Sequence, residues 1–137
     1  APTVKLVAQE LGGKSANILL DDADFEKADA TGASDMFANT GQSCDAPSRM
    51  LVPRERMDEA AAIAAKVAAE TRVGNPRDED VAVGPVVSEQ QWTKIQGLIQ
   101  KGIDEGARLE AGGTGHPDGF PPHLSCWPTV SYSSPRF

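Results

Sequence analysis

The chain has 137 residues, with 13 basic and 20 acidic side chains and a formal charge of −7. That length suits one compact domain that can bury a core without disulfide staples, and the acidic balance excludes a nucleic-acid partner, which needs a basic stripe to displace counterions. Two cysteines far apart in sequence make no secreted disulfide framework, so a reducing, cytoplasmic setting with both thiols free is expected, and there is neither a bilayer-length apolar run nor a signal-peptide pattern.

In chain order, VKLVAQEL (4–11) is short, apolar-rich and stopped by Gly12-Gly13, which predicts a strand ending in a tight turn. ANILL (16–20) reads as a buried strand closed by Asp21 and Asp22, with Asp22 or Asp24 placed to cap the next helix. Residues 25–40 read as that helix, weakened by Gly32, and SRMLV (48–52) as a strand between Pro47 and Pro53. From Glu55 to Arg72, Met57, Ala60, Ala61, Ala64, Val67 and Ala68 recur at helical spacing. Residues 73–85 read as a Gly-, Pro- and Asp-rich loop. Ser88 and Gln91 have capping-box spacing and open a helix with Trp92, Ile95, Leu98, Ile99 and Ile103 on one face; Gly106 ends it. RLEAGG (108–113) predicts a further strand.

This alternation predicts an α/β fold, a mostly parallel sheet flanked by helices, over residues 1–113. Residues 114–137 carry Pro117, Pro121, Pro122, Pro128 and Pro135 without periodicity, and an irregular proline-rich tail is expected there.

Three motifs are set aside. GGKS (12–15) lacks the upstream glycine of a P-loop, since Ala8 holds that position. His116, His123 and Cys126 match no zinc spacing, so no metal is expected. GGTGHPDG (112–119) opens no helix and is no dinucleotide fingerprint.

Cys44 and Glu10 are the candidates for chemistry. A lone cysteine is by default a small buried hydrophobe. Cys44, however, sits in NTGQSCDAPSR (39–49), a helix-to-strand connection whose small and polar neighbours leave the thiol uncrowded. No histidine stands near it in sequence; a Cys-His pair would have to recruit His116 or His123 from the tail. Glu10 is either a solvated strand end or a carboxylate at the strand terminus where α/β sheets bind ligands. A thiol and a carboxylate facing one cavity suit a two-step reaction: attack on an electrophilic carbon, then activation of water.

QELGGKSANILLDDAD (9–24) resembles the glutamate signature of the NAD(P)-dependent aldehyde dehydrogenase superfamily, and FANTGQSCDAPSRMLV (37–52) resembles its cysteine signature. VGNP, GPVVS and IQGLIQKGIDEGARLEAGG come next in the family's order, so the resemblance covers about residues 3–113. It implies a partial catalytic domain in which Cys44 is the nucleophile, its backbone amide helps hold the oxyanion, and Glu10 activates the hydrolytic water. It also implies that the Leu11 carbonyl faces the nicotinamide and that Gln91 and Lys94 touch the cofactor's ribose. For Gln91 the capping role is an equal account.

The implied activity is oxidation of a small aldehyde to its acid with NAD or NADP, in a complete enzyme that is a homo-oligomer, dimer or tetramer. The family's dinucleotide-binding part precedes E-L-G-G-K and has no counterpart here, so the chain alone is expected to be inactive or nearly so and to expose apolar surface. Two alternatives stay open: a non-catalytic remnant serving packing or oligomer contacts, and a cofactor-independent thiol esterase.

Overall fold

The computed structural model describes residues 3–120 and 124–133. His123 and the prolines at 121, 122 and 135 lie outside the described residues.

The order is strand β1 (Ala16–Ile18), helix α1 (Phe25–Phe37), strand β2 (Arg49–Leu51), helix α2 (Met57–Glu70), helix α3 (Glu89–Asp104), strand β3 (Arg108–Ala111) and strand β4 (Val130–Tyr132). Single 3-10 turns come after α1 at Ala38–Gly41 and before α2 at Arg54–Arg56. β1 and β2 run parallel, Ala16 against Arg49 and Ile18 against Leu51, with α1 as the crossover. β3 and β4 are antiparallel, with a bulge between Leu109 and Ala111. The molecule is thus a partial α/β domain, a parallel pair with helices plus a separate antiparallel pair.

Asp24 caps α1, its carboxylate accepting from the Lys27 amide. Phe25, Asp29, Ala33 and Phe37 recur at four-residue steps on the buried face. Gly32 has a packing role: a Cβ there would collide with the side-chain amide of Asn17, whose Nδ2 donates to the Ala28 carbonyl. The glycine that weakens the helix pattern is what lets α1 approach β1. The alanine stripe of α2 meets α1 at close range, with Ala64 and Ala68 against Ala33, Phe37 and Val83, and Ala60 against Leu19 and Phe25.

Four expectations change. Residues 4–11 form no strand: Val4 and Leu6 are fully exposed, and no described segment pairs with them. A strand needs a neighbouring ladder to satisfy its backbone, whatever its own pattern. ANILL is not a buried strand, since Ile18 is 61% exposed on a sheet of two strands, and the apolar stripe of α3 likewise holds no buried residue. Finally, the tail supplies β4, which Thr129 fastens by accepting from the Gly113 amide.

The loop at 73–85 is anchored. Gly74 donates to Val83, Arg72 pairs with Asp80, and Val83 and Val86 are buried. No helix among the described residues is long and apolar enough to cross a membrane.

Candidate active site

α1 delivers the chain to the thiol. After Phe37 the backbone passes through Asn39 (φ 50°), Thr40 (φ 61°) and Gly41 (φ 68°), three successive left-handed residues. For a non-glycine residue this conformation costs about 1–2 kcal/mol, and it persists where the surroundings over-determine it. Here they do. Asn39 Nδ2 donates to the Gln42 carbonyl, Gln42 N to the Asn39 carbonyl, and Thr40 Oγ1 to the Gly84 carbonyl at 3.1 Å. The Gln42 side chain accepts from Val87 N at 2.9 Å and donates to the carbonyls of Asn39 and Pro85.

Cys44 and Asp45 then occupy the centre of a turn closed by Ala46 N to the Ser43 carbonyl. Ala46 is buried while Cys44 is exposed and free. The glycine-rich segment lies alongside. A Cβ on Gly13 would meet the Cys44 carbonyl oxygen at 3.4 Å, and Arg49 donates from Nη2 to the Lys14 carbonyl at 2.6 Å. Glu10 is three residues from Gly13, a span the chain cannot stretch beyond about 10 Å. Glu10 and Leu11 sit on the exposed arm, which is irregular where a strand end is expected.

A cavity of about 490 Å³ opens beside the thiol turn, lined there by Lys14, Thr40 and Gly41 and on the far side by Ile95, Leu98 and Ile99 of α3. Neither Cys44 nor Glu10 lines it. Gln91 is half-buried in the first turn of α3 and its amide donates to the capping Ser88 Oγ; Lys94 is exposed one turn on. Leu11, Gln91 and Lys94 line none of this cavity.

Burial, and secondarily the charge of Glu59, pushes Asp29 up to about 6; the group is fully buried, and neither oxygen has a partner among the described residues. Burial also raises the Cys126 thiol, against a Gln96 amide contact that lowers it. His116 engages the Pro117 carbonyl, and no group of three or more metal-ligating side chains occurs among the described residues. Sequence reasoning missed Gln42 and Asp29. For Asp29 the signal is present, since it falls four residues from both Phe25 and Ala33 on the apolar face.

These features define a partial α/β unit that presents an uncrowded thiol on a constrained turn, beside the glycine-rich approach to a parallel strand. Residues 1–136 match the Aldehyde dehydrogenase family, so the match runs on through the tail that the resemblance left out. Among curated proteins, 3-succinoylsemialdehyde-pyridine dehydrogenase of a Pseudomonas species is 52% identical over 130 residues, 95% of this chain and 27% of that protein. Among solved structures, a cysteine-to-alanine mutant of aldehyde dehydrogenase C from Pseudomonas syringae, with NAD+ and octanal, superposes with a TM-score of 0.85 at 48% identity, covering 95% of this chain and 27% of that one. The Mycobacterium tuberculosis aldehyde dehydrogenase with NAD+ gives 0.83 at 43% identity, covering 89% and 25%. The chain belongs to the aldehyde dehydrogenase family. It spans about a quarter of the length of the relatives it matches.

Proposed function

We propose that this chain is the nucleophile-bearing part of an NAD(P)-dependent aldehyde dehydrogenase that oxidises a small aldehyde to its acid. The observation that carries the reading is the exposed Cys44 thiol on a turn held from both sides, at Gln42 and at Ala46. The Cys44 thiolate attacks the aldehyde carbon, the carbonyl electron pair moves onto oxygen, and the Cys44 backbone amide donates to that oxyanion. NAD or NADP supplies the hydride acceptor in the complete enzyme, whose relatives include structures with NAD+. Once the adduct has become a thioester, Glu10 takes a proton from water; the hydroxide adds to the acyl carbon and the Cys44 thiolate leaves.

Leu11, Gln91 and Lys94 are assigned to the nicotinamide and ribose contacts of the assembled enzyme, a cytoplasmic dimer or tetramer. Residues 1–113 are assigned the chemistry, and the tail that follows, which lies within the same family match, is assigned packing through β4. The chain alone lacks a full dinucleotide site and is expected to give no reduced cofactor with aldehyde and NAD or NADP.

The deciding experiment is thiol labelling with an aldehyde-mimicking electrophile. Cys44 is expected to react at least tenfold faster than a free peptide thiol, and Cys44→Ser to abolish the labelling while Cys126 stays protected. A rate equal to the peptide's overturns the assignment. The exposure of Cys44 also favours a second reading, a thiol esterase needing no cofactor; hydrolysis of an activated ester, lost in Cys44→Ser, marks that activity.

A further inference from the structure

The turn that carries Cys44 has few ties to the rest of the molecule. The bonds between Asn39 and Gln42 are internal to the loop and would form in a loop that floats. Beyond them, among the described residues, the hydrogen bonds that reach out from the stretch before the cysteine are Thr40 Oγ1 to the Gly84 carbonyl, Gln42 Nε2 to the Pro85 carbonyl, and Val87 N to Gln42 Oε1. Those partners lie 43 to 45 residues away in sequence. They are well anchored: Val83 and Val86 are each 3% exposed, and Val86 N donates to the Leu124 carbonyl at 2.7 Å.

The chemistry of the clip selects an amide of this length. Val87 N is a donor, so it must meet Oε1; the carbonyls of Asn39 and Pro85 are acceptors, so they must meet Nε2. A carboxylate could take the Val87 proton but could donate to neither carbonyl. Asparagine is one methylene too short to span the same gap. Gln42 stands two residues before the thiol, and the buried Ala46 stands two residues after it, so the turn is fixed on both flanks.

We propose that Gln42 is a positioning residue for Cys44: its side-chain amide ties the strained Asn39–Gly41 turn to the Gly84–Val87 segment and so fixes where the sulfur is presented. This rests on the reading of Cys44 as the nucleophile, and two readouts keep the inference and that reading apart. In the full 137-residue chain, a spin label on Cys44 reports how firmly the turn is held, and hydrogen exchange at the Val87 amide reports the clip itself.

In Gln42→Ala the label is expected to shift from restricted to fast motion. Val87 exchange is expected to accelerate at least tenfold, while the core amides of Phe37 and Ala64 keep wild-type protection. Gln42→Glu, which retains the Val87 contact, is expected to fall between the two and serves as the test should the alanine variant not fold. Unchanged label motion in Gln42→Ala overturns the proposal, whether or not Val87 exchange rises. Label motion that rises without faster Val87 exchange overturns it too, because the hold would then not run through the clip. A wild-type Cys44 that alkylates no faster than a peptide thiol sinks the nucleophile reading, and leaves the label to decide the clip separately.

Discussion

The thiol turn and the arm before β1 are both non-regular segments that carry a residue of the family signature, yet they are specified in opposite ways. The Cys44 turn takes its shape from side chains: Thr40 and Gln42 reach a segment distant in sequence that is seated by the buried Val83 and Val86, Phe37 plugs the end of α1, and Ala46 seats the far side. The arm holding Glu10 has a good strand pattern, and no described segment pairs with it. Val4 and Leu6 are fully exposed, and Leu11 is 75% exposed. A strand gets its conformation from the ladder beside it, whereas a turn can be fixed by a few hydrogen bonds within reach. In this chain the proposed nucleophile is held by its own surroundings, whereas the proposed base sits on an arm that no described segment pairs with.

The largest effect that would break this contrast is expected at Phe37, where the thiol turn is rooted in the core. Phe37→Ala should cost about 3–5 kcal/mol of unfolding free energy, read by urea titration. A loss below about 1 kcal/mol would mean that the turn is not anchored through α1. Next comes Asp29, the charged intruder in the seam between α1 and α2. Its folded pKa of about 6 lies above the ordinary 3.8, so the folded carboxyl holds its proton where the unfolded chain has released it. The stability tied to this group is therefore complete below about pH 3.8 and is lost as pH rises through about 6. The whole swing is about 3 kcal/mol. Asp29→Leu should flatten the stability profile between pH 4 and 7 and stabilise the chain at neutral pH. A profile in the variant as steep as the wild type's would show that Asp29 is not the source. The smallest effect belongs to the arm: Leu6→Ser should move stability by no more than about 0.5 kcal/mol in either direction. A larger loss would place the arm against a surface.

Much of the fold is legible in the sequence, and the reasons are local. Asp24 and Ser88 mark helix starts because their side chains satisfy orphan amides, and both do so here. The alanine spacing of α2 announces its buried face. The ANILL and SRMLV runs yield β1 and β2 within a residue or two of each end. What is not legible depends on partners remote in sequence. Val130–Tyr132 becomes a strand because β3 lies next to it, despite Pro128 just upstream. The apolar face of α3 is legible, but not what it meets: within the described residues it lines one wall of an open cavity. At the site, the G-Q-x-C pattern points to Cys44, while the task of Gln42 becomes visible only once Val87 is seen beside it.

The alanine seam carries a mechanical corollary. With thirteen residues, α1 is a rod about 20 Å long. It rests on small side chains for much of its length, and the sulfur-bearing turn hangs from its C-terminal tip. Added volume at Ala60, which packs against Phe25, is expected to strain that seam and to be felt along the helix from which the turn hangs.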